Sequence, residues 1–121
     1  RTDRTNTPLQ ALTMLNNRIF VESSRKMAER MLQEADGPPV SQVRYGFQLV
    51  LTREPTAEEL TILMQLYREA RQQFVEAPKS ATSLLAIGES KLAKQLKPIK
   101  LAAMTVVAST ILNLDEAVTK P

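Results

Sequence analysis

Four lysines spaced three apart, Lys91, Lys94, Lys97 and Lys100, are the densest run of one charge in the chain. On a helix this spacing puts several ammonium groups on one side, a stripe suited to phosphates. Pro98 falls inside the run and breaks helical continuity, so the stripe is expected to be interrupted. The net charge is only +3, and no aromatic residue stands between the lysines to stack on a base. A solvated basic face is the preferred reading. A basic helical nucleic-acid-binding domain is kept as the minor alternative.

Side-chain oxygens gather at Asn113, Asp115 and Glu116, with Asn16 and Asn17 as further candidates. Such groups can hold a hard cation, but the regular spacing and central glycine of a calcium loop are missing. Helix-end capping accounts for them more simply, and no metal site is expected. Glu58 and Glu59 are adjacent on a helix, point in different directions and cannot flank one bond. Capping and the helix dipole explain their position. Arg1, Asp3, Arg4 and Asn6 form an amino-terminal cluster suited to anions or an interface. It reads most simply as an extended arm over 1–6 that belongs against the rest of a longer protein.

The chain of 121 residues contains neither histidine nor cysteine. This excludes thiolate nucleophiles, Ser-His and Cys-His relays, Cys/His zinc sites and histidine-ligated haem within it. With 43% apolar and 24% charged residues, it has the composition of a folded domain rather than a disordered tail. Three glycines and five aromatics are few for a sheet protein, and the good helix formers dominate. One core fits this length.

The elements that must position these residues are helices throughout. Thr7-Pro8-Leu9-Gln10 is a capping sequence and predicts a short helix over about 8–16. A second helix is expected over about 18–35, with Phe20, Met27, Ala28, Met31 and Leu32 on one face and Ser24 filling the gap. Asp36-Gly37-Pro38-Pro39 should turn the chain. A third helix over about 40–52 then buries Val43, Phe47, Val50 and Leu51. Thr56-Ala57-Glu58-Glu59 is a second capping box. It opens a helix to about residue 77, with Leu60, Leu63, Met64, Tyr67, Ala70 and Phe74 inward and Arg68, Glu69, Arg71, Gln72 and Gln73 on the wet side. Pro78 should end that helix. Ser80 would cap a short one through Ile87, and another turn is expected near 90–96. Pro98 opens a last helix over about 98–112, apolar nearly all round, with Asn113-Leu114-Asp115-Glu116 marking its exit. A helix without a polar face must be surrounded by others. The expected architecture is all-α, a compact single-domain bundle of five to six helices over 1–121 around that carboxy-terminal helix. The stretch 101–112 is too short to span a bilayer, which takes ~20 apolar residues.

Thr7-Pro8-Leu9-Gln10-Ala11-Leu12, Leu15-Asn16-Asn17, Phe20-Val21-Glu22, the run from Leu51 to Leu60, Leu101-Ala102-Ala103 and the run from Leu112 to Glu116 stand in a characteristic order. Together they resemble the carboxy-terminal portion of a planctomycete domain-of-unknown-function family. Its members are large secreted or periplasmic proteins, often with a cytochrome-c-like domain upstream. The chain departs from that pattern at Lys97, where the family tends to have an acidic cap, and at Met104, where it tends to have Trp. The resemblance transfers no catalytic residue. It implies an extracytoplasmic home and upstream domains of the same polypeptide as partners.

The leading expectation is a non-catalytic structural or interaction module with no cofactor. The alternative is a share in an enzyme site, polysaccharide-related or redox-linked, completed by an upstream portion. Asn16, Asn17, Arg53, Asn113, Asp115 and Glu116 are the residues that would converge in that case.

Overall fold

The computed structural model describes residues 18–87 and 96–119, with side chains as far as Asp115. Five helices follow one another: α1 (Arg18–Glu34), α2 (Pro39–Leu51), α3 (Ala57–Glu76), α4 (Pro78–Leu85) and α5 (Pro98–Thr119). No strand occurs among the described residues, and the fold is the all-α bundle that the composition predicts. The arm over 1–6, the helix over 8–16 and the turn over 90–95 lie outside the described residues.

The bundle is built around α5, which touches all four other helices. Every residue from Leu101 to Ser109 is buried, and the small side chains Ala102, Ala103 and Ala108 let the neighbouring backbones approach. Its buried hydroxyls need no partner from outside. Thr105 donates to the Leu101 carbonyl at 2.7 Å and Ser109 to the Val106 carbonyl at 2.6 Å, so polar groups sit in the core already satisfied.

α5 also corrects the predicted exit. The helix continues through Asn113-Leu114-Asp115-Glu116 to Thr119. Asn113 and Leu114 are exposed there. Asn and Asp in a helix interior lose only up to ~0.7 kcal/mol each against Ala, and no Gly or Pro interrupts the stretch.

The linkers follow their local chemistry. Gly37 takes φ +104° between α1 and α2, a conformation open to glycine, and Pro39 occupies the first turn of α2. Thr52 ends α2 in left-handed geometry at φ 57°, its N–H donating to Gln48. Thr56 caps α3 reciprocally with Glu59, at 3.1 Å and 2.8 Å, as the capping-box sequence predicts. α4 begins earlier than expected. Pro78 starts it, and Ser80 is a helical residue rather than its cap. Proline suits the first helical position because the N–H it lacks has no helical acceptor there. Ala77 serves both sides, donating to Gln73 to close α3 and accepting from Ser80 to open α4, each at 2.9 Å.

The inward stripes are largely those predicted. Val43, Phe47, Leu63, Tyr67, Ala70 and Phe74 are buried, and Val50, Leu51, Leu60 and Met64 lie at the margin. On α1 the face is rotated. Val21, Ser24, Ala28 and Met31 are core, but so are Arg25 and Glu29, while Phe20, Met27 and Leu32 are only half-buried.

Candidate functional site

An open groove of about 940 Å³ lies where α3 passes the starts of α2, α4 and α5. This is within the ~300–1,000 Å³ range of ligand clefts. Its apolar floor comes from Tyr67, Val75 and Ile99, together with Pro39, Pro78 and Pro98, the first residues of three helices. Arg68 and Arg71 from α3, and Lys97 and Lys100 from the start of α5, supply four cations, and among the described residues no carboxylate lines the groove. None of the four makes a salt bridge with a described residue. Other arginines of the chain are neutralised locally, Arg30 by Glu34 at 3.0 Å and Arg53 by Glu59 at 2.8 Å.

Two further features favour negative charge here. Three helix N-termini carry the positive ends of their dipoles to the groove. Tyr67 is only 4% exposed and lines the groove, and its hydroxyl forms no hydrogen bond with another described residue. Burial raises its phenol above the ordinary tyrosine pKa, against the opposing pull of the nearby Arg71 charge. The hydroxyl therefore stays protonated near neutral pH and remains available as a donor.

The lysine run is thus resolved in part. Lys97 lies just before α5 and Lys100 in its first turn, both in the groove. Pro98 begins the helix between them rather than breaking one. Lys91 and Lys94 fall outside the described residues.

Among the shared-site candidates, Arg53 is held in the α2–α3 corner. Its guanidinium spans both Glu59 oxygens at 2.9 Å and 2.8 Å, donates to the Glu54 carbonyl at 3.1 Å and lies 4.9 Å above the Phe47 ring. The hydrogen bonds from the Arg53 guanidinium, and after them that from the Thr56 backbone N–H, lower the Glu59 carboxyl to about 2. This is capping and corner chemistry. Asn113 is exposed and Asp115 half-buried on the later part of α5. Asn16, Asn17 and the side chain of Glu116 lie outside the described residues. Among the described residues no group of three or more acidic side chains could hold a metal ion.

Arg68 and Arg71 were expected on the wet side of α3, and they are exposed there. Their role in a groove was missed, although one signal was readable. Neither has an acidic residue three or four positions away, and the same holds for Lys97 and Lys100, so no helical ion pair can quench them. A second, smaller depression of about 440 Å³ lies between α1 and α5, with Ile19, Met27 and Leu112 beside Glu22, Ser23, Lys26 and Arg30. Ile19 is 78% exposed at its edge.

Fold and groove together define a helical domain with a basic cleft. The chain belongs to the family described as protein of unknown function DUF1553, whose model matches residues 1–67. Apart from Pro39 and Tyr67, the groove residues lie beyond that match. No curated protein and no solved structure matches the chain. Among the described residues, no helix is long and apolar enough to cross a membrane.

Proposed function

We propose that the chain is a non-catalytic helical interaction module. It stands at the carboxy-terminal end of a large extracytoplasmic multidomain protein of planctomycete type and docks against upstream domains of its own polypeptide. The observation that carries this reading is the groove, where four cations without a salt bridge to any described residue surround an apolar floor. Paired cations would signal a solvated, self-satisfied surface; unpaired ones over apolar walls suit a partner that brings its own negative charge. Histidine and cysteine are absent from the whole chain, which leaves the cleft without the usual groups for nucleophilic or relay chemistry. On the same reading, the cytochrome-c-like domain implied by the family resemblance lies among the upstream neighbours and carries its own haem ligands.

Calorimetry between this chain and the separately expressed upstream remainder, at two salt concentrations, tests the proposal. Binding that weakens with salt and with Arg68→Gln/Arg71→Gln is expected. A cooperatively folded chain that fails to bind the remainder at either salt concentration overturns it.

A further inference from the structure

We infer that the groove is built for a peptide segment that alternates acidic and apolar side chains, and that Tyr67 and Arg71 together receive one of its carboxylates. The inference rests on the docking reading above and names the chemistry of the partner.

The lining divides by kind. Arg68, Arg71, Lys97 and Lys100 are charged, and the floor between them is Tyr67, Val75 and Ile99 with three prolines. A nucleic acid presents phosphate along its whole length and gains most from a continuous basic track. This groove offers four cations on a chain of net charge +3, with an apolar floor that a phosphate backbone would desolvate without return. An extended peptide fits both halves, because side chains along a strand point alternately to opposite faces. Apolar side chains cover Val75 and Ile99 while the intervening carboxylates meet the cations.

Tyr67 marks the inner end of the site. Its hydroxyl has no protein partner among the described residues, although the residue is 96% covered. The hydroxyl is not one of the buried unpartnered atoms among the described residues, so it reaches the groove surface, where a ligand can meet it. Arg71 stands one helical turn from Tyr67 on α3 and lines the same groove, so an oxyanion placed between them accepts from the Tyr67 hydroxyl and from the guanidinium at once. Carboxylates held in this way make charge-assisted hydrogen bonds.

Fluorescence anisotropy with the full 121-residue chain and a short labelled peptide alternating glutamate and leucine tests the inference. Three further probes accompany it: the same peptide with glutamine for glutamate, oligoglutamate of equal length, and a labelled DNA duplex. The Glu/Leu peptide should bind tightest and lose affinity with salt. Arg71→Gln/Lys100→Gln should weaken it about five- to tenfold, the scale of two partly exposed ion pairs, with an unchanged melting temperature. Tyr67→Phe removes only the hydroxyl and should weaken the Glu/Leu peptide more than the glutamine peptide. Equal binding of the glutamine peptide, equal or tighter binding of oligoglutamate or DNA, or no effect of Arg71→Gln/Lys100→Gln overturns the inference. If the Glu/Leu peptide fails while the upstream remainder still binds in a salt-sensitive way, the peptide chemistry is wrong and the docking reading stands. Failure of both removes both.

Discussion

Arg25 and Glu29 lie one turn apart on α1 and form a buried ion pair, Nη1 to Oε2 at 2.8 Å, with side chains only 1% and 6% exposed. Lys26 adds a second cation to Glu29 at 3.2 Å from the solvent side. A pair of this kind reveals itself on truncation. Removing one member of a buried ion pair costs about 3–5 kcal/mol, whereas replacing both by apolar residues of similar volume is often neutral or stabilising. Glu29→Ala should therefore lower stability steeply, and Arg25→Met/Glu29→Leu should restore most of it. Urea denaturation of the three proteins checks this. A single truncation as mild as a surface substitution contradicts the buried pair.

Gly46 of α2 lies against Met31 of α1 so closely that an added Cβ would stand 2.6 Å from Met31 Sδ and Cε and 2.8 Å from Cγ. Met31 is fully buried, so its flexible side chain would have to shift within the packed core to make way. Gly46→Ala gains ~1 kcal/mol of helix propensity, but overpacking of this kind costs about 1–3 kcal/mol. Net destabilisation is expected. In the background of Met31→Ala the same substitution should become stabilising, and a double-mutant cycle measures that change of sign.

Glu59 should leave a pH signature. Its folded carboxyl is lowered to about 2 by the Arg53 guanidinium and the Thr56 N–H, below an unfolded value near ~4.3. A carboxyl depressed on folding contributes stability above its unfolded pKa and loses that contribution as pH falls through the folded one. The stability gap between the native chain and Glu59→Gln should be widest above pH ~5 and close toward pH ~2. Thermal melts across that range measure it, and a gap independent of pH rules out the linkage.

Thr52 ends α2 at φ 57°, a region where a β-branched side chain is strained and glycine is not. Thr52→Gly should raise stability by up to ~1 kcal/mol, the strain relieved being partly offset by the greater freedom of glycine in the unfolded chain. A lower denaturation midpoint instead would mean that the Thr52 hydroxyl, which donates to the Leu51 carbonyl at 2.6 Å, outweighs the strain.

Periodicity and capping made most of the bundle legible. The stripe from Leu63 to Phe74 and the Thr56–Glu59 box follow from local rules that packing did not override. The central place of α5 followed from its lack of a polar face. Arg25 and Glu29 escaped because a helical pattern treats charges as solvent-facing, and their burial depends on how α1 is rotated against α5. The α4 start was misplaced because Pro78 can either end one helix or begin another, and here it does both within one residue. The groove was half visible. The lysines stood out as a run, but Arg68 and Arg71 come from another helix, and their meeting with Lys97 and Lys100 is tertiary.

The helix that every other one leans on is also the last of the five to be synthesised. While the ribosome is still adding residues before Leu101, the inward faces of α1 to α4 lack the helix that covers them in the finished fold. The chain should therefore leave the ribosome as a loose, sticky assembly and acquire its tight order late, once residues 101 to 111 are free to thread among the helices. Its vulnerable period is the interval before that, when holdase chaperones or early self-association would compete for the same uncovered leucines and phenylalanines.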